Sequence, residues 1–172
     1  GFKNQELSNK VGAFTDYTDR ILEWATRKVG GALWREMKSD ACTPFTRVTS
    51  DGTYFLTRLA DYLKNSTHIQ LHIVGHSAGS IFQAHSLARL FKIDETLKVD
   101  SLHLMAPAIS YPLFNETLAP LIESEHIAST TVYNLSGPLE KDDHVARIYQ
   151  KSLLYLVSNA FESKTAMPLL GM

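Results

Sequence analysis

Residues 69–91 limit the possible folds of this chain more than any other stretch. An apolar run, Ile69 to Val74, leads into Gly75-His76-Ser77-Ala78-Gly79, and Ser80 to Phe91 follows. Ile69, Leu71 and Ile73 alternate with Gln70, His72 and Val74, the period of a strand. Ile81, Phe82, Ala84, Leu87, Ala88 and Phe91 then recur as on an apolar helix pressed against a sheet. Between them the chain must reverse within a few small residues. Gly75 and Gly79 fit a place where strand and helix pass closely, and glycine accepts backbone angles other residues avoid.

The rest of the chain extends the pattern. A second strand is expected over Val99 to Ala106 and a third over 130–135. A helix from about Pro112 to Glu123 lies between them, and Val145 to Ala160 forms a last helix. Met167 to Leu170 would begin a fourth strand. Alternating strands and helices predict an α/β protein, a parallel sheet with helices on both faces. Ahead of the sheet, Phe14, Tyr17, Ile21, Leu22, Ala25, Val29, Leu33 and Met37 mark the inner face of a long helix over 12–43. Gly30-Gly31 would bend it, Trp24 and Trp34 would pack in the core or else touch a partner or lid, and Thr43-Pro44 would end it. Asp51 is expected to cap a helix reaching Asn65, with Phe55, Leu59, Tyr62 and Leu63 as its buried face. All 172 residues read as one domain.

Composition narrows the partners. The formal net charge is -1, so no global field recruits nucleic acid or an anionic membrane. No apolar run approaches the roughly 18 residues that span a bilayer. Cys42 is the only cysteine, which points to a reducing, cytoplasmic setting. No cofactor is implied, and the spacing of His76 and His85 offers no metal site. Asn65-Ser66-Thr67, Asn115-Glu116-Thr117 and Asn134-Leu135-Ser136 match the glycosylation pattern by chance.

In parallel sheets ligands bind outside the carboxyl ends of the strands. Ser77 lies at that rim, and a G-x-S-x-G between strand and helix resembles the nucleophile elbow of the α/β-hydrolase superfamily of esterases, lipases, thioesterases and peptidases. The resemblance covers roughly residues 51–170, the late half of a three-layer hydrolase fold whose ends would lie outside the chain. It implies a serine hydrolase acting on a small-molecule acyl substrate. Ser77 would be the nucleophile, the backbone N–H of Ala78 an oxyanion donor, and His76 a cleft neighbour. The plain alternative for Ser77 is a helix cap.

In that family the acid follows a late strand and the histidine comes after it. Asp142, after Ser136-Gly137-Pro138, resembles the acid, with Asp143 as rival; either residue also fits a helix cap near Val145. His144 is the one histidine downstream. It is too close to its partner for an easy triad, so the family's histidine is expected beyond Met172, as the second oxyanion donor is expected outside residues 1–172. His68 and His126 precede their strands, His72 and His103 lie inside strands, and His85 is two turns along the helix. These read as structural or surface histidines. An acyltransferase using the same serine, or a non-catalytic interaction domain keeping the elbow as scaffold, fits the same residues.

Overall fold

Strands β1 (His72–His76), β2 (Ser101–Met105) and β3 (Thr130–Tyr133) form a parallel sheet in the order β1-β2-β3. The computed structural model describes residues 2–66, 68–136, 139, 149 and 151–172, the side chains of residues 2–17 excepted. By internal packing they divide into two units, Gly1–Arg35 with Ser136–Met167, and Glu36–Leu135 with Pro168–Met172.

The sheet belongs to the second unit. Helix α1 (Phe2–Cys42) ends at a 3-10 turn, Thr43–Phe45, where proline stops it as expected. Helix α2 (Asp51–Lys64) follows, α3 (Gly79–Ile93) joins β1 to β2, and α4 (Tyr111–Glu123) joins β2 to β3. Two crossovers of the same hand stepping the same way put their helices on one face. Accordingly α3 packs on β1 and between α2 and α4. Ile81, Ala84, Leu87, Leu90 and Phe91 of α3 are buried, as are Leu102 and Leu104 of β2.

Three expectations change here. β1 begins at His72 rather than Ile69, because the Asp100 carboxylate accepts the Leu71 N–H at 2.7 Å. The buried face of α2 is Thr53, Leu56 and Ala60, which leaves Phe55 62% exposed and Tyr62 exposed. Its cap position is Ser50, and Asp51 sits inside the first turn, where a carboxylate favours the helix dipole.

Helices do not cover both sheet faces within this unit. The face opposite α3 carries His72, Val74, His76, Met105, Thr131 and Tyr133, all exposed; Val74 is 56% exposed. A row of hydrogen bonds crosses it. His72 Nδ1 is 2.7 Å from Ser101 Oγ, Ser101 Oγ is 2.9 Å from His103 Nε2, and His103 Nδ1 is 3.2 Å from the Tyr133 hydroxyl. The expected fourth strand is a single antiparallel bridge, Leu169 to Ser110, outside the sheet.

In the first unit α1 runs unbroken through Gly30-Gly31, so no bend forms there. A side chain on Gly30 would overlap the Phe161 ring, and that close approach is the glycine's physical use. The described part of the final helix is α5 (Leu153–Leu156), continued by a π-helical turn, Val157–Phe161. Tyr149, Leu156 and Ala160 form a buried cluster with Leu22, Tyr155 and Phe161 around it. Trp34 is 5% exposed and donates to Glu162 Oε1 at 2.7 Å. The packed stripe of α1 is therefore Asp19, Leu22, Thr26, Gly30 and Trp34. Ile21, Val29, Leu33 and Met37, expected inside, are exposed, and Trp24 is 79% exposed.

Candidate active site

Ser77 follows β1 directly and has a φ of 51°. That left-handed conformation costs a non-glycine residue roughly 1–2 kcal/mol, so the surrounding structure must hold it. Four hydrogen bonds do so. The Ser77 N–H donates to the Met105 carbonyl at 2.9 Å. Its carbonyl accepts from Ser80 N at 3.0 Å, Ser80 Oγ at 2.7 Å and Ala108 N at 3.1 Å. The fully buried Ser80 hydroxyl also accepts the Ile109 N–H at 3.0 Å, tying the turn to the loop after β2.

Of the two glycines, Gly75 alone is closely packed. A Cβ there would stand 3.2 Å from Gly79 C, Gly79 O and Ser80 Cα, all backbone that cannot swing aside. A Cβ on Gly79 would meet nothing within 4 Å, contrary to the expected close pass at both.

The loop after β2 repeats the device. Ala106 has a φ of 41°, and its N–H donates to the Tyr133 carbonyl at 2.8 Å. Two adjacent parallel strands thus end in strained non-glycine residues at the same rim. The last residues brace this loop: Tyr111 N donates to Pro168 O at 3.0 Å, Leu170 N to Ile109 O at 2.9 Å and Gly171 N to Pro107 O at 2.9 Å. Sequence reasoning missed Ser80 and Ala106. A serine three residues past the elbow is a weak signal, and an alanine in a left-handed turn gives none.

Ser77 is half-buried, and among the described residues its hydroxyl has no hydrogen-bonding partner. It does not cap α3: Ala78 holds that position, without a side-chain cap. The Ala78 N–H likewise donates to no carbonyl among the described residues. A bare hydroxyl and a bare N–H therefore stand together at the amino end of a 15-residue helix, where roughly half a positive charge resides.

His76 ends β1 and is exposed, on the sheet face shared with His72 and Val74. His85 is half-buried on α3; burial pushes its pKa down, against a smaller upward pull from Glu116. His126 is held by Ser124 Oγ at 2.6 Å and the Glu95 carbonyl at 3.0 Å, edge-on to Phe91. His72 and His103 belong to the row across the sheet, and His68 is exposed. None of these six is bonded to Ser77. Asp142, Asp143 and His144 lie outside the described residues. Among the described residues no cluster of three or more His, Cys, Asp or Glu has a geometry that holds a metal ion, and no helix is long and apolar enough to cross a membrane.

No protein-family model, curated protein or solved structure matches this chain.

Proposed function

We propose that the protein is a serine hydrolase of the α/β-hydrolase type that cleaves an ester or related acyl bond. One observation carries this reading: a serine with φ 51°, its hydroxyl unpartnered among the described residues, between a parallel strand and the amino end of a helix. Strain alone does not mark a nucleophile, since Ala106 carries it too; strain on a serine whose hydroxyl is left unpartnered at a helix amino end is what a projecting nucleophile requires. Ser77 Oγ attacks the acyl carbon and its proton passes to a histidine oriented by Asp142 or Asp143. The Ala78 N–H and the α3 dipole stabilise the oxyanion. The leaving group departs with that proton, and water then releases the acyl group. His76 flanks the serine, and His144 is the histidine of this sequence downstream of the acids. A cytoplasmic setting, drawn from the single cysteine, belongs to the same reading.

A fluorophosphonate probe tests it on protein expressed from its complete reading frame. The expected result is labelling at Ser77, abolished in a folded Ser77→Ala variant. Folded protein that resists the probe favours the scaffold alternative. A labelled Ser77 with acyl transfer to an added alcohol in preference to water favours the acyltransferase.

A further inference from the structure

The outward side of α1 is chemically unlike its inward side. Over residues 18–35 the acids of the sequence, Asp19 and Glu23, both turn inward. Buried Asp19 is paired with Lys151 at 3.7 Å. Glu23 Oε1 accepts the Tyr149 hydroxyl at 2.6 Å and Asn159 Nδ2 at 2.9 Å. The bases of the same stretch, Arg20, Arg27, Lys28 and Arg35, are all exposed. At 3.6 residues per turn Ile21, Ala25, Val29 and Leu33 form a slowly winding stripe; the row beside it is Arg20, Trp24, Lys28, Ala32 and exposed Glu36, and Arg35 lies across the helix from Leu33. The stripe residues and Trp24 are exposed as well.

We infer that this face of α1 docks onto an anionic membrane surface. The helix lies in the interface with Ile21, Trp24, Val29 and Leu33 toward the acyl chains and its cations at lipid headgroups. Apolar residues, an amphipathic aromatic ring and Lys and Arg on one surface are what a helix in the headgroup plane requires. The net charge of -1 conceals the surface, because most of the acids that balance its cations lie elsewhere in the chain. Charge also selects among occupants. A second copy would bring cations against cations, whereas an anionic leaflet supplies the missing charge and takes up the apolar stripe together. The inference goes beyond the reading of Ser77 and does not depend on it.

The test is co-sedimentation with vesicles of phosphatidylcholine alone and of phosphatidylcholine with one third phosphatidylserine, with tryptophan emission recorded in parallel. The expected result is binding to the anionic vesicles only, weakened by salt as surface charges are screened. A blue shift should accompany it and vanish in Trp24→Phe, since buried Trp34 reports no change. Replacing Arg20 and Lys28 together by glutamine should weaken binding on the order of thirtyfold. Glu36→Lys replaces an exposed acid by a cation and should strengthen binding at least about fivefold, a gain that misfolding cannot imitate. Absence of binding to anionic vesicles, equal binding to both kinds, or indifference to the charge variants overturns the inference. Self-association lost in Trp24→Ala without vesicle binding also overturns it, and assigns the face to a second copy. Capture of an acidic amphipathic peptide without vesicle binding assigns it to a protein.

Discussion

Alanine and glycine exchanges around the elbow separate strain from packing, and the structure sets the sign of each. Alanine at 77 keeps the φ of 51° and its cost, whereas glycine removes roughly 1–2 kcal/mol of strain and loses part of that gain to unfolded-chain entropy. Ser77→Gly should therefore be more stable than Ser77→Ala by about 1 kcal/mol, the reverse of the order in a helix. Gly75→Ala brings a Cβ to 3.2 Å from three backbone atoms at the start of α3, so the helix must shift. Overpacking of that kind typically costs 1–3 kcal/mol. Gly79→Ala meets open space within a helix and should be neutral or gain up to about 1 kcal/mol. Urea unfolding with a common m-value gives all four differences. Should Ser77→Ala equal or exceed Ser77→Gly, the serine is not held in a left-handed turn and the argument for a nucleophile loses its base. Equal losses at Gly75 and Gly79 would mean that α3 does not start where described.

Leu104→Ala empties a fully buried site of β2 and should cost about 2–5 kcal/mol, against under roughly 0.5 for exposed Val74→Ala; thermal midpoints distinguish the two sheet faces. The Lys64 ammonium, 2.6 Å from the Asp94 carboxylate, and hydrogen bonds from Thr96 hold that carboxyl down at about 2. A folded pKa below the unfolded value of about 3.9 gives stability that is present above pH ~4 and lost as pH falls toward 2. Asp94→Asn should flatten the stability profile in that window, measured as the urea midpoint against pH.

The β-α-β core was legible because its signals are local: period two, a small-residue turn, then helical spacing. What escaped depends on partners distant in sequence. The α1 stripe of Ile21, Val29, Leu33 and Met37 has helical periodicity, yet Tyr149, Leu156 and Ala160 pack on the other stripe, where Gly30 admits the Phe161 ring. In α2 the choice between Phe55 with Tyr62 and Leu56 with Ala60 was settled by packing against α3, and the smaller residues fit closer. Strand β1 was shortened by a side chain 29 residues away, the Asp100 carboxylate. At the site, Gly75 and Ser77 were readable from spacing. Ala106 and Ser80 were not, since their roles come from a loop meeting the elbow in space.

The row of hydrogen bonds across the exposed sheet face imposes a shared choice. A hydroxyl carries one proton, so Ser101 can donate to His72 or to His103, never to both. With neutral rings, donation to His72 Nδ1 requires His103 to carry its proton on Nε2, which leaves Nδ1 bare and obliges Tyr133 to donate. Donation to His103 reverses every link and turns the Tyr133 proton out to water. Three strands therefore hold a single two-way polarity. A ligand or ion that fixes the proton at His72 sets the orientation of a phenol two strands away, without moving the backbone.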